Sequence, residues 1–117
     1  MCISFVIFRK LRHPDIVKYF GTCLLHETIG TTVKIVLELC DCSLRKLVTS
    51  HPENSPARLS KKPIRNKVLN WALQVLDALR YIHSVGFVHR DLKLDNLLVS
   101  YLLVGSVGLL LSTLSHV

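Results

Sequence analysis

The stretch whose reading decides the fold is His89-Arg90-Asp91-Leu92-Lys93-Leu94-Asp95-Asn96, which runs into the apolar triplet Leu97-Leu98-Val99. An aspartate, a lysine two residues on and an asparagine three beyond that offer a carboxylate, an ammonium and a hard amide oxygen on one short loop. Together those groups can handle a proton, offset negative charge and ligate a metal ion. Six fixed residue types at about one in twenty each give a chance match on the order of 10⁻⁸ per position, so the spacing is specific.

Outward from this loop, the strongest helical pattern in the chain runs from about Pro63 to Ser84. Ile64, Val68, Ala72, Val75, Leu79 and Ile82 recur at spacings of three and four, and Pro63 suits a first-turn position. Leu69, Leu73 and Leu76 widen the stripe, so a broad apolar face needs cover. Gly86 follows the end of the pattern, where positive φ commonly terminates a helix. Leu97-Leu98-Val99 reads as a short buried strand.

Upstream, residues 3–12 read as the end of a helix that Pro14 stops. Ile16 to Cys23 and Thr32 to Leu39 are β-rich runs around a polar loop containing Gly30, and they predict an antiparallel pair. Ser43 to Val48 forms a short helix in this reading. Residues 50–63, with three prolines, read as a loop.

Composition sets outer bounds. The 117 residues are 50% hydrophobic and 20% charged, a globular balance for one small domain. The formal net charge of +7 is concentrated at Arg9-Lys10-Arg12 and in Arg58, Lys61, Lys62, Arg65 and Lys67. The second cluster lies in the Pro- and Ser-containing loop, where a solvated charge run accounts for it better than a nucleic-acid patch. Cys2, Cys23, Cys40 and Cys42 make no C-x-x-C pair, and their spacing is poor for structural zinc. The apolar N-terminus lacks a basic n-region and a cleavage site, so a reduced, intracellular and cytoplasmic setting is expected.

The loop at 89–96 resembles the catalytic loop of the eukaryotic protein kinases, and the order of elements around it is similar to that family over roughly residues 3–100. Leu11-Arg12-His13-Pro14-Asp15-Ile16-Val17 resembles the junction between the family's helix αC and its fourth strand. Val33 to Cys40 resembles the fifth strand and hinge, and Tyr81-Ile82-His83-Ser84 with Gly86-Phe87-Val88 the approach to the catalytic loop. Lys93 favours the serine/threonine type. The resemblance implies an α+β, partial protein-kinase-like fold: the end of αC, a hairpin and hinge, αD, αE and the catalytic loop. Residues 1–39 would be an N-lobe remnant, 40–100 the hinge and start of the C-lobe, and 101–117 an apolar non-kinase tail.

Residue roles follow from the same resemblance. Asp91 would orient the substrate hydroxyl and accept its proton, Lys93 would neutralise the transferring phosphoryl group, and Asn96 would hold Mg²⁺. Arg90 would meet a phosphorylated activation loop, and His89 would pack behind the loop. The carbonyl of Glu38 and the amide of Cys40 would hydrogen-bond the adenine of ATP, Leu98 would pack beneath the base, and Leu37 would be the gatekeeper. Taken alone, Leu98 and Leu37 are explained by core packing. The implied activity is ATP- and Mg²⁺-dependent phosphorylation of serine or threonine on a protein substrate.

These 117 residues depart from the family pattern in several places. They contain no glycine-rich loop, no strand lysine and no Asp-Phe-Gly after Val99, and Ser4 stands where the αC glutamate would fall. Losing one charge-stabilising donor commonly costs 10²–10³ in rate, so the 117 residues alone are expected to transfer no phosphate. A non-catalytic partner of another kinase, docking through the exposed face of the long helix, is the alternative. Beyond Ser100 three readings compete: departure from the ancestral frame, a tail anchor in the uncharged run Leu97 to Leu114, or a divergent strand or helix that covers the core. Nucleic acid is an unfavoured partner.

Overall fold

The computed structural model describes residues 10–50, 62–100, 106–109 and 115–116. Among these residues, seven strands and two helices follow in order: β1 (Tyr19–Glu27), β2 (Gly30–Leu37), β3 (Cys42–Ser43), α1 (Leu44–Ser50), α2 (Lys62–Ser84), β4 (Phe87–Val88), β5 (Leu97–Ser100), β6 (Ser106–Leu109) and β7 (Ser115–His116). A 3₁₀ turn, Leu94–Asn96, precedes β5. This is an α+β arrangement of small antiparallel sheets against one long helix.

β1 and β2 form the antiparallel hairpin that the sequence predicts, shifted toward the turn. Glu27 pairs with Gly30, so only Thr28 and Ile29 lie between the strands. Gly30 takes φ +142, a backbone state open to glycine. The expected start at Ile16 falls short because Ile16 and Val17 are buried at 4% and 2% exposure before the strand begins. The hairpin itself is exposed on both faces, with Phe20, Leu24, Val33 and Ile35 all open.

Ser43 caps α1 by accepting the Lys46 backbone N–H at 3.2 Å, a standard helix start. The helix therefore begins one residue later than the predicted Ser43 and runs on to Ser50. α2 starts with Pro63 in its first turn and ends at Ser84. Gly86 follows at φ +90, and its N–H closes on the His83 carbonyl at 3.1 Å.

The buried face of α2 keeps the C-terminal half of the stripe the spacing suggests, Val75, Leu79 and Ile82, and departs from it at Val68 and Ala72. Trp71, Ala78 and Ile82 are buried, with Val75, Leu79 and Tyr81 packed against the same core. Val68 and Ala72 face solvent, and Leu69, Leu73 and Leu76 form the exposed apolar side. The indole at 71 is the largest apolar group on the helix, and seating it rotates the helix away from Ala72. The core is completed by Leu11, Ile16, Leu44, Leu47, Leu97 and Val99.

Lys10 lies in a turn, and Leu11 and Arg12 are not helical. The remainder of the helix expected over 3–12, with Ser4, lies outside the described residues, as does most of the loop at 50–63. In the segment after Ser100, β6 pairs with β5 in the register Leu97 to Leu109 through Ser100 to Ser106, and β7 pairs with β4. β6 also runs beside α2. Among the described residues, no helix is long and apolar enough to cross a membrane.

Candidate active site

The loop between β4 and β5 brings Lys93 and Asn96 of the sequence motif to the Asp91 carboxylate. Asn96 is 7% exposed. Its Nδ2 donates to the Asp91 carbonyl at 2.7 Å and to Asp91 Oδ2 at 3.0 Å. Lys93 Nζ stands 3.5 Å from that same Oδ2. With both amide hydrogens spent on Asp91, Asn96 Oδ1 is left as the acceptor. Asp91 Oδ1 likewise has no partner among the described residues.

Two features hold the loop in this shape. His89 is buried at 2% exposure, and its Nδ1 accepts the Asp91 backbone N–H at 3.2 Å. Arg90, between them, adopts φ +66. A non-glycine residue in that region stores on the order of 1–3 kcal/mol, so it persists only where the surroundings over-determine it. Here the buried imidazole on one side and the Asp91–Asn96 bonds on the other do so. The Arg90 side chain points to solvent.

The predicted hinge residues lie between β2 and β3, and β3 pairs with β5. Asp41 N–H donates to the Val99 carbonyl at 2.9 Å, and Cys42 and Ser43 pair with Val99 and Leu98. Glu38 is clamped twice to Lys18: its N–H donates to the Lys18 carbonyl at 2.8 Å, and its Oε2 accepts the Lys18 N–H at 3.1 Å. Cys40 is half-buried, with its Sγ 4.0 Å from the Glu38 carbonyl. Burial, and then the Glu38 and Asp41 carboxylates, push its thiol pKa up. Leu98 is half-buried on the face of β5 opposite the core residues Leu97 and Val99. Leu37 ends β2, half-buried opposite Tyr19. Asp91, Lys93 and Asn96 thus form one cluster, and β3–β5 pairing joins the hinge to the strand that carries Leu98.

Fit for the implied metal can be judged from these donors. Asn96 Oδ1 is a hard oxygen of the kind Mg²⁺ prefers, but one protein oxygen is too few to fill its shell without further acidic ligands, phosphate and water. Sequence reading missed Arg45, whose Nε donates to Asp95 Oδ1 at 2.8 Å. Nothing in the pattern links two residues so far apart. It also missed the group His13, Asp15 and Asp77, whose ligand atoms lie within 4.8 Å of one another.

Comparison with known proteins agrees with this geometry. The protein kinase domain model matches residues 4–104. The chain is 36% identical over 95 residues to cyclin-dependent kinase F-4 of Oryza sativa, covering 79% of this chain and 17% of that protein. It is 34% identical over 93 residues to serine/threonine-protein kinase Tao of Drosophila melanogaster, covering 79% and 8%. With human serine/threonine-protein kinase STK11 the identity is 29% over 94 residues, covering 80% and 20%. The chain therefore spans a fifth or less of each of these relatives. With its catalytic-loop motif folded around Asp91 and the family match running over residues 4–104, the chain belongs to the eukaryotic protein kinase family, of which it holds part of the domain.

Proposed function

We propose that this chain carries the catalytic loop and hinge of a serine/threonine protein kinase, which moves the γ-phosphoryl group of ATP to a protein hydroxyl. The observation that carries the reading is the crowding of Asp91 Oδ2 by Asn96 and Lys93. It leaves Asp91 Oδ1 to orient a serine or threonine hydroxyl and take its proton. Lys93 Nζ then lies where charge on the transferring group would be offset, and Asn96 Oδ1 offers a ligand to Mg²⁺. Bound Mg²⁺ would supply charge neutralisation on the phosphates. The half-buried Leu98, on the face of β5 turned away from the core and paired with Ser43 just beyond the hinge, supports an adenine site with the Glu38 carbonyl and Cys40 amide at its edge.

The proposal divides the chain into a kinase portion at 1–100, with an N-lobe remnant at 1–39, and a tail at 101–117 outside the family pattern. An intracellular setting is part of it. It also holds that these 117 residues alone transfer no phosphate, because they include neither a phosphate-covering glycine loop nor the acidic metal ligand of an Asp-Phe-Gly after Val99. The test is radiolabel transfer from γ-labelled ATP to a serine-containing protein. No incorporation is expected. Incorporation that Asp91→Asn abolishes would overturn the inactivity and uphold the assignment of Asp91.

A second reading has one observation in its favour. Leu69, Leu73 and Leu76 are 54%, 64% and 60% exposed on one side of α2. Such a face fits a non-catalytic docking role toward another kinase domain. Co-purification with a kinase, lost on Leu73→Asp, would favour that role over catalysis.

A further inference from the structure

The 3₁₀ turn that presents Asn96 has little of its own to hold it. Its backbone bonds run from Asn96 N–H to the Lys93 carbonyl at 3.0 Å and from Leu97 N–H to the Leu94 carbonyl, and Lys93 at its start supplies no side-chain cap. Isolated turns of this kind have poor hydrogen-bond geometry. Something outside the turn has to fix its rotation. Two adjacent side chains do so in different directions: Asn96 points inward to Asp91, and Asp95 points outward to Arg45.

Arg45 is well placed to act as a fixed post. It sits in the first turn of α1 beside Leu44 and two residues before Leu47, which are 5% and 4% exposed. Its backbone is thus anchored to the core. The guanidinium Nε reaches Asp95 Oδ1 at 2.8 Å, a short charge-assisted bond across fifty residues of sequence.

We propose that Arg45 is a positioning residue for the catalytic loop. By holding Asp95 against α1 it sets the rotation of the 94–96 turn, and so the direction in which Asn96 presents Oδ1. The proposal rests on the reading of Asn96 as a metal ligand given above. Both partners are about half exposed, 52% and 47% at the side chain. A pair so open to water adds little to folding. Its effect is on orientation, which separates this role from a purely structural one.

The test uses the full 117-residue chain, ¹⁵N-labelled, with the Asn96 side-chain amide pair as reporter and Mn²⁺ alone as the paramagnetic probe. Arg45→Ala and Asp95→Ala are each expected to move the Asn96 pair toward free-asparagine positions and to weaken Mn²⁺ broadening there severalfold. The Trp71 indole signal, which reports the core, should stay in place. The charge exchange Arg45→Asp with Asp95→Arg should restore most of the shift, and Arg45→Lys part of it, because an ammonium lacks the planar fork. An Asn96 pair that does not move in Arg45→Ala overturns the proposal. So does a shift shared by Trp71, which would mean general loosening. Absence of Mn²⁺ broadening at Asn96 in the unaltered chain overturns the metal reading, while the amide shifts still decide whether Arg45 positions the turn.

Discussion

The His13 imidazole meets the Asp77 carboxylate at 3.2 Å, tying the loop before β1 to the middle of α2 across 64 residues of sequence. His13 Nδ1 accepts the Asp15 backbone N–H at 3.0 Å, so the neutral ring carries its proton on Nε2 and donates it to Asp77 Oδ2. The ring also packs on Tyr81 at 5.3 Å between centroids, and the Tyr81 hydroxyl accepts the Arg12 N–H at 3.0 Å. Asp77 is 60% exposed at its side chain, whereas His13 is 12%. Ring packing therefore outweighs the ion pair. His13→Ala should cost about 1–2 kcal/mol in urea denaturation. Asp77→Asn should cost about 0.5 kcal/mol or less. Equal losses would show that charge, not packing, fastens the loop.

Asp15 gives this junction a pH dependence. Burial raises its carboxyl pKa above the ordinary aspartate value; His13 works against the rise, and Asp77 adds to it. With the folded pKa above the unfolded one, the native state binds more protons across that interval. The contribution of Asp15 to stability is thus fully present below its unfolded pKa and is lost as pH climbs through the folded pKa. Asp15→Asn should flatten the fall in stability just above the ordinary aspartate range. A stability–pH slope unchanged by that substitution would mean that the shift is absent.

The two sides of α2 predict opposite mutational outcomes. Ile82 is 0% exposed in the core, and Leu73 is 64% exposed. Ile82→Ala should remove about 2–5 kcal/mol, since the cavity adds to the lost transfer energy. Leu73→Ala should stay within about 0.5 kcal/mol. Chemical denaturation of both variants checks this, and a large loss at Leu73 would place that side chain against a covering surface.

The limits of α2 were legible in the sequence because Pro63 and Gly86 act locally, through a fixed φ and a positive one. Its orientation was not. Apolar residues lie on two sides of the helix, and periodicity cannot say which side meets Leu44 and Leu97. Val75, Leu79 and Ile82, within the predicted stripe, do meet the core, while Val68 and Ala72 do not. The catalytic cluster was legible because residues 89–96 are contiguous. Arg45 was not, since only the fold brings α1 to the turn at Asp95. The hairpin was found but displaced, because Ile16 and Val17 are β-formers that the core takes first.

Asn96 should be the most sensitive polar position in the loop. Its buried amide supplies both bonds to Asp91, so Asn96→Ala leaves the Asp91 carbonyl and Oδ2 without that donor. A loss of about 1–2 kcal/mol is expected, the net worth of two hydrogen bonds to a partner that stays partly solvated. Leu92→Ala, at a half-exposed neighbour, should change stability by about 0.5 kcal/mol or less. Thermal denaturation of the two variants compares them directly, and parity between them would mean that the Asp91–Asn96 bonds do not hold the loop.

Cys40 offers a chemical reading of the hinge. The thiolate is the species that alkylates, and burial followed by the Glu38 and Asp41 carboxylates holds Cys40 in its thiol form to higher pH. Cys23 is exposed on β1. Iodoacetamide near pH 8 should therefore modify Cys40 more slowly than Cys23, as read by peptide mass spectrometry. Raising the pH to about 9.5 should narrow the gap as more Cys40 ionises. Glu38→Gln removes one neighbouring charge and keeps the side chain's shape, so it should speed Cys40 without touching Cys23. If Cys40 keeps its slow rate in that variant and the gap persists at high pH, access rather than ionisation limits the thiol, and the carboxylate at 38 has no hold on the hinge cysteine.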